Sequence, residues 1–594
     1  MTTRDVLTQA QAVSARCRVP TTVTPICGRT LHIGFFFDGF ARNLEEDLRE
    51  NRLSNIGRLF LAHMDTEQDS ELDCYRSAYL SGLGADYDDS LGVQASGVFN
   101  RAQSDAMDIP TDVVAEEAFE AAKDQLTGRD WWQRLKRDLG KLRDKPQNGL
   151  KVFKDMLINT AAEVVEPIRD SRWAAHLVKS GVDVRLEGAR TRLNREITVL
   201  NDFGQIPLRT IKVSVFGFDF GATLARAFIH ELMELCQQRD SQYYYRHARL
   251  EIVFAGLFDA VDRSILEIPP LEFILPTTAR VDDGGLVHPQ VKAALHLVAA
   301  HERRFYRRAR LLGERRRSWH EELMPGVSED IGGGIAPGEQ KPSNELALVS
   351  LHRMHRAAFA AGVSLVALDE LPAKGRMISS LFTFNDRSPS QRSALGLVRH
   401  YQRWVGNQLP SSDAFLIHMR CYMRWLAHVW QAYNAEMSEL AAQEDAIHQN
   451  QYTDNNWFSE IFGFTNETNE ERQARLSKVD EIQERRRQLR DQLSWLEDVD
   501  SEAKSIKNRL EVFKSGSAGT RQNLEVWNAL LYEWDNPQPL ISEVVELFAF
   551  FVHDQQVLSA AQRSARSIAG ENFFAIRGFD LPGGELPALN EAEG

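Results

Sequence analysis

Short runs of apolar residues, too short for helices and often bounded by glycine or aspartate, recur along the first half of the chain. Near-continuous hydrophobicity of this kind is typical of strands buried on both faces of a parallel sheet. The predicted strands are Leu31 to Phe37, Ala78 to Leu83, Thr210 to Phe216 and Leu250 to Phe258. Helical spacing follows at 56–64, after the N-cap candidate Ser54, and at Ala222 to Cys236. Strand, turn, helix and strand in this order predict a doubly wound α/β core.

Shifts in composition divide the 594 residues into five segments. These are a polar N-terminal segment (1–29), the first part of the α/β core (30–104), a helical insertion (105–205), the second part of the core (206–388) and a helical C-terminal module (389–594). Within the module, the charged stretch 470–514 predicts a helical hairpin or short coiled coil. The insertion carries three tryptophans among basic residues, which fits either an anionic membrane surface or packing against the core.

Charge and cysteine usage narrow the class of protein. Lys plus Arg is 70 and Asp plus Glu is 84, which gives a formal charge of −14 and argues against nucleic acid as a partner. The five cysteines are scattered, so they indicate neither a disulfide framework nor a zinc site. No signal peptide or membrane-spanning stretch is evident, which predicts synthesis in the cytoplasm.

The most informative segment follows the third strand. Gly217 and Gly221 flank Asp219 in the spacing of a nucleophile elbow, with a strand before it and a helix after it. The glycines allow a strained central residue while the strand and helix backbones pass close together. The backbone N–H of Phe220 would then face an oxyanion.

An aspartate at the elbow changes the chemistry. Attack by the Asp219 carboxylate on an ester would give an anhydride and not a stable acyl-enzyme. Aspartate nucleophiles at the elbow of α/β-hydrolases instead displace halide or open epoxides through an alkyl-ester intermediate. A water activated by a histidine must then hydrolyse this intermediate.

Several segments in order carry a family resemblance. They are HIGFFFDGFARN (32–43), SNIGRLF (54–60), YLSGLGAD (79–86), VFGFDFGATLARAF (215–228), GLFDAVDRS (256–264), HERRF (301–305), PGVSEDIGGG (325–334), FVHDQ (551–555) and FFAIRGF (573–579). Together they resemble the catalytic domain of the type VI secretion lipase effectors, family 1. The resemblance implies an α/β-hydrolase fold with a serine, aspartate and histidine triad.

The chain departs from the family pattern at the triad. Asp219 stands at the nucleophilic serine and Ser328 at the catalytic histidine, whereas Asp259 keeps the acid. In the first motif, Gly39 is followed by the bulky Phe40, where the family has small residues near the oxyanion. Two carboxylates without an imidazole cannot generate an alkoxide, and close together they would raise one pKa or recruit a cation.

Two routes to activity stay open. A histidine elsewhere would serve Asp219 as a base, with His553, His320 and His301 as candidates after the acid in the chain. An oxygen-ligand metal site is the other route, formed by Asp219, Asp259, Glu329 and Asp330. We expect neither a metal nor a cofactor, because nothing in the spacing of these residues is diagnostic.

A dense basic run, which includes Arg303, Arg304 and Arg307, lies in the helix-like stretch HERRFYRRAR (301–310) and beyond. It fits either a patch for lipid phosphates or a helix face paired with the chain's own carboxylates. His352 and His355 stand three residues apart on a predicted helix, but lack a nearby third metal ligand.

These observations favour a catalytically degenerate relative of the lipase effectors. The expected partners are a phospholipid or membrane surface and a type VI spike, effector or immunity protein, and the expected route is export by type VI secretion. The alternative is an active hydrolase, either a phospholipase with a rearranged site or an enzyme with Asp219 as nucleophile.

Overall fold

The computed structural model describes residues 8–16, 28–40, 42–82, 181–202, 206–261, 285–304, 307–313, 316–406, 409–453, 469–513, 521–554 and 573–580. Most of the predicted insertion lies outside these residues, as does most of the N-terminal segment. The described part of the insertion from residue 181 onward is a helix.

The described part of the chain is a mixed α/β protein built around one sheet. Its strands are β1 (Arg29–Phe37), β2 (Asp73–Leu80), β3 (Leu208–Phe218), β4 (Gln237–Arg239), β5 (Gln242–Tyr245), β6 (Ala248–Phe258), β7 (Ala293–Ala299) and β9 (Trp319–Met324). The order β2-β1-β3-β6-β7-β9 is parallel throughout, and the β4–β5 hairpin pairs antiparallel with the beginning of β6. A separate parallel pair joins β8 (Ala309–Arg310) to β10 (Phe579–Asp580).

The strand order changes direction between β1 and β3. From β1 the chain goes outward to β2, then returns to place β3 on the other side of β1. In open parallel sheets, ligands and catalytic groups lie at the carboxyl ends of the strands beside such a switch point. Asp38, Asp219 and Asp259 directly follow β1, β3 and β6, so three carboxylates lie along this edge.

Helices cover both faces of the sheet. Those described are α1 (Gln9–Arg16), α2 (Leu44–Arg49), α3 (Asn55–Ala62), α4 (Gly181–Asp202), α5 (Phe220–Glu234), α6 (Ser328–Gly332), α7 (Leu346–Ala360), α8 (Leu371–Lys374), α9 (Arg376–Ser380), α10 (Ala394–Val405), α11 (Ser412–Thr453), α12 (Asn469–Leu493), α13 (Leu496–Phe513), α14 (Arg521–Asp535) and α15 (Ser542–Phe550). In β1, Phe35 contacts Phe228 of α5 on one face, whereas Phe36 contacts Phe60 of α3 on the other. The aromatic run is therefore buried on both sides.

The charged stretch after residue 469 consists of two helices, α12 and α13, with a break at Ser494 and Trp495. Helix α12 runs beside α11, where Gln483 donates to Glu444 at 2.8 Å. Its apolar side chains Val479, Ile482 and Leu489 are buried within the chain. No helix in the described ranges is long and apolar enough to cross a membrane.

Candidate active site

The elbow at Asp219 joins β3 directly to α5. Asp219 has φ 55° and ψ −128°, a conformation that a non-glycine residue adopts only when its surroundings enforce it. Its N–H donates to the Phe258 carbonyl at 3.0 Å, and its own carbonyl accepts from Ala222 at 3.0 Å. A Cβ on Gly221 would lie 2.2 Å from the Asp38 carbonyl oxygen, so α5 reaches the end of β1 only through a glycine.

Gly217 has an equally close neighbour, because a Cβ there would lie 2.4 Å from the Cα of Ala222. The strand and the helix therefore pass in direct backbone contact, as the spacing predicts. Phe218, between Gly217 and Asp219, packs against two further glycines. A Cβ on Gly39 would lie 2.5 Å from its ring and one on Gly332 would lie 2.0 Å away.

The first motif loop is held by Asp38. Its carboxylate accepts from the Gly39 N–H at 2.7 Å, the Ser54 hydroxyl at 2.6 Å and the Tyr79 hydroxyl at 2.6 Å. Burial raises the pKa of Asp38, and the hydrogen bonds from Ser54 and Tyr79 oppose that rise. Phe40 and Phe220 are both buried, so the bulk that departs from the family pattern lies inside the protein.

Asp219 itself is buried, with 4% of its surface exposed. Its Oδ1 has no hydrogen-bond partner among the described residues, and Nη1 of Arg307 lies 3.8 Å from it. The same guanidinium donates to Glu329 Oε1 at 3.1 Å. Arg307 therefore lies between the elbow carboxylate and the residue that follows Ser328.

Asp259 is fully buried and is paired with an arginine. Nη2 of Arg577 donates to Asp259 Oδ2 at 3.0 Å, while Nη1 contacts Oδ1. Oδ1 also accepts from the Ala299 N–H at 2.8 Å. Arg577 donates further to the carbonyls of Arg307 at 2.9 Å and Ala299 at 3.0 Å. The cation beside Asp259, the predicted acid, is thus a guanidinium.

Ser328 is the first residue of α6 and is fully buried. Its N–H donates to Glu302 Oε2 at 3.2 Å, and its hydroxyl has no partner within the described ranges. Arg304 binds both neighbouring carboxylates, Glu302 and Glu329, each at 2.6 Å through Nη2. Burial favours the protonated acids, but Arg304 and Arg307 outweigh it, lowering the pKa of Glu302 to about 2 and that of Glu329 well below its usual range.

The three candidate histidines have different surroundings. His553 pairs its Nδ1 with Asp330 Oδ1 at 2.6 Å, and its buried Nε2 has no hydrogen-bond partner in the described part of the chain. His301 accepts from the Gly326 N–H at 2.9 Å and contacts the Tyr401 hydroxyl at 3.1 Å. Burial lowers the pKa of His301 well below its usual value, so it is neutral. His320 is the second residue of β9.

None of these histidines is hydrogen-bonded to Asp219 Oδ1, which has no such partner. Asp330 is engaged by His553 and by the Val327 N–H at 3.0 Å, and burial raises its pKa. Three of the four acids of the predicted metal site thus bind other side chains, because Asp259 and Glu329 pair with arginines and Asp330 pairs with His553. Within the described ranges, no group of three or more His, Cys, Asp or Glu is arranged to hold a metal ion.

The prediction of a helix at HERRFYRRAR is wrong for the described residues. Residues 301–304 and 307–313 contain the two-residue strand β8 and no helix. Arg304 and Arg307 point inward to Glu302, Glu329 and the elbow, so they do not lie on a solvated face.

His352 and His355, the pair three residues apart on α7, each bond a backbone carbonyl. The partners are Phe382 at 2.6 Å and Val366 at 2.9 Å, respectively.

Sequence reasoning missed Arg307 and Arg577 as members of the site. One signal was present for Arg577, which stands among apolar residues in FFAIRGF. A lone arginine in such a run is typical of a buried, paired charge. No local signal distinguishes Arg307 from the neighbouring arginines.

The protein is a mixed α/β protein with a parallel sheet and an elbow between β3 and α5. Aspartates directly follow three of its parallel strands. Residues 228–357 match the family model described as "T6SS, Phospholipase effector Tle1-like, catalytic domain". This match confirms the resemblance to the type VI lipase effectors that the ordered motifs indicated. It includes Asp259 and Ser328, and it begins nine residues after Asp219.

Solved structures add a comparison of folds. The crystal structure of an uncharacterized protein from Pseudomonas aeruginosa is similar with a TM-score of 0.51 and 16% identity, covering 97% of this chain and 82% of that one. The structure of the Tle1 effector bound to the VgrG spike from the Type 6 secretion system gives a TM-score of 0.29 and 18% identity, covering 53% of this chain and 52% of that one. No protein with a curated description matches the chain.

Proposed function

We propose that this protein has an α/β-hydrolase core whose esterase chemistry has been lost, and that it acts by binding. The pairing of Asp259 with Arg577 carries the proposal. In a serine hydrolase the acid orients the imidazole and stabilises the imidazolium that forms during the reaction. A carboxylate that is already neutralised by a bidentate guanidinium can no longer stabilise an imidazolium in this way.

The other two triad positions support the same conclusion. Asp219 is not acylated productively, and Ser328 cannot take up a proton as histidine does. Arg307 lies 3.8 Å from Asp219 and binds Glu329, so a fixed positive charge lies where a proton shuttle is needed. Two substitutions and two arginines therefore act against ester hydrolysis together.

The binding role is proposed from the family. A protein related to type VI phospholipase effectors would bind a phospholipid or membrane surface, a secretion spike, a cognate effector or an immunity protein. We propose synthesis in the bacterial cytoplasm and export by type VI secretion.

One observation favours the rival, an active hydrolase with Asp219 as nucleophile. His553 is oriented by Asp330, and its Nε2 is unpartnered in the described part of the chain, as a base that activates water would be. This enzyme would hydrolyse an alkyl ester formed on Asp219.

Hydrolysis of a substrate panel by the purified protein decides between the two. The panel contains phospholipids, short p-nitrophenyl esters, an epoxide and a haloalkane, and each is run beside Asp219→Ala and His553→Gln. We expect no turnover by any of the three proteins, and equal binding of the native protein and Asp219→Ala to phosphatidylglycerol vesicles. Turnover by the native protein that both substitutions abolish would establish the rival.

A further inference from the structure

The segment 573–580 contacts the C-terminal helices through its aromatic residues. Phe573 stacks on Trp495 at 6.1 Å between ring centroids, Phe574 meets Trp534 of α14 at 6.2 Å, and Phe579 stacks on Phe415 of α11 at 5.5 Å. All three phenylalanines are buried. One short segment therefore packs against several parts of the helical region.

The same segment also reaches the carboxyl edge of the sheet. β10 pairs with β8, and Arg577 extends from between the phenylalanines to Asp259 at the end of β6. Arg577 is buried, with 4% of its surface exposed. Its Nε, Nη1 and Nη2 donate hydrogen bonds to four acceptors. These acceptors are both Asp259 oxygens and the carbonyls of Ala299 and Arg307.

This set of acceptors fits a planar guanidinium in particular. Two parallel bonds to one carboxylate require a fork of N–H groups, and the remaining donors meet fixed backbone carbonyls. A lysine ammonium is a point charge and cannot reproduce that arrangement. An imidazolium has two donors and would leave acceptors unsatisfied.

We propose that the end of β6 is a guanidinium-binding site, filled by Arg577 of the chain's own C-terminal segment, and that this contact holds the helical region on the sheet. The proposal deepens the proposed function and rests on it only for the statement that Asp259 is no longer a catalytic acid. The site itself follows from the contacts. With Arg577 truncated, the site should accept a small guanidinium compound from solution.

Chemical rescue tests this directly, with thermal unfolding of the full chain as the readout. Arg577→Ala should melt roughly 2–4 °C below the native protein, because it leaves the Asp259 charge buried and unpaired. Millimolar methylguanidinium should recover at least half of that loss. It should not raise the melting temperature of the native protein, and methylammonium at equal ionic strength should have no effect on Arg577→Ala.

Two further variants serve as controls. Arg577→Lys keeps the charge but should melt well below the native protein. Asp259→Asn, Arg577→Ala should lose less than the sum of its single substitutions and should not respond to methylguanidinium. Native-like melting of Arg577→Ala, or equal methylguanidinium effects on every variant, would overturn the proposal.

Should Arg577→Ala not fold, its soluble yield with methylguanidinium present during refolding replaces the melting temperature. Recovery of folded protein supports the site, and no recovery while the double variant folds overturns it. The melting temperature does not depend on catalysis. Turnover by the native protein would therefore overturn the proposed function without changing the conclusion about the guanidinium site.

Discussion

At the scale of single residues, Asp219 has the strained backbone conformation that a nucleophile elbow imposes on its central residue. A φ of 55° with ψ −128° costs on the order of 1–3 kcal/mol for a non-glycine residue. The surrounding contacts still enforce it, because Gly217 and Gly221 place β3, α5 and the end of β1 in close contact. The backbone conformation of the elbow therefore follows from these glycine contacts.

Placing the serine and histidine of the family pattern in this chain tests whether Arg577 opposes ester hydrolysis, as we propose. Asp219→Ser, Ser328→His restores the nucleophile and base, but Arg577 would still neutralise Asp259. We expect esterase turnover by this double variant to lie at or below the detection limit, and turnover at least about 100-fold above that limit when Arg577→Met is added, since about 100-fold is the lower end of what a general base contributes. Hydrolysis of p-nitrophenyl butyrate measures both.

Asp219→Ala, Ser328→His, Arg577→Met is the matched control, which lacks the nucleophile and should be inactive. Equal turnover by the double and triple variants would mean that the guanidinium does not oppose the acid.

At the scale of elements, the sequence pattern predicts the inner strands well. The observed bounds of β1, β3 and β6 lie within two residues of the predicted ones, because these strands are buried on both faces and their apolar runs are continuous. β2 begins five residues before its prediction. β2 is at an edge of the sheet, and its first half carries half-buried polar side chains, so a continuous apolar run does not mark it.

The candidate site is predictable only in part for a related reason. Asp219, Asp259 and Ser328 follow from spacing and from the family motifs, which are local in sequence. The contact of Arg577 with Asp259 spans 318 positions, and that of Arg307 with Glu329 spans 22. No periodicity encodes such pairs, and the closely spaced arginines of 301–310 resemble a helix face until their partners are known.

Replacing a glycine of the elbow should disturb the junction of α5 with β1. In Gly221→Ala the new Cβ would lie 2.2 Å from the Asp38 carbonyl oxygen, so the helix must shift. We expect a loss of roughly 2 kcal/mol or more in the free energy of unfolding, as overpacked sites show. Urea unfolding followed by circular dichroism measures it.

Gly396→Ala in α10 is the control, because its nearest neighbour would be the Ser393 hydroxyl at 3.5 Å. That change should be neutral or stabilise by up to about 1 kcal/mol, since alanine is the better helix former. Equal destabilisation by both would refute the steric argument.

At the scale of the whole molecule, buried histidines make the fold sensitive to acid. Burial lowers the pKa of His63, His355 and His418 to about 3 and that of His352 to about 4. These rings are therefore neutral in the folded protein, whereas the unfolded chain takes up protons near the ordinary histidine value of 6.5. Their contribution to stability is complete above pH 6.5 and is lost as the pH falls toward 3.

His418 offers the cleanest test of this linkage, because burial alone lowers its pKa. Its Nδ1 contacts the Tyr401 hydroxyl at 2.7 Å, and Tyr401 contacts His301, so the ring belongs to a buried polar chain between α10, α11 and the loop that follows β7. We expect His418→Gln to lower stability at pH 7.5 but to reduce the pH dependence between pH 6 and 4.5 by about 1.4 kcal/mol per pH unit. Between pH 7.5 and 9 the native and variant curves should run parallel, because this ring is then neutral in both folded and unfolded chains. Urea unfolding at half-unit steps of pH measures both slopes, and an unchanged acid slope in the variant would show that His418 does not couple proton uptake to unfolding.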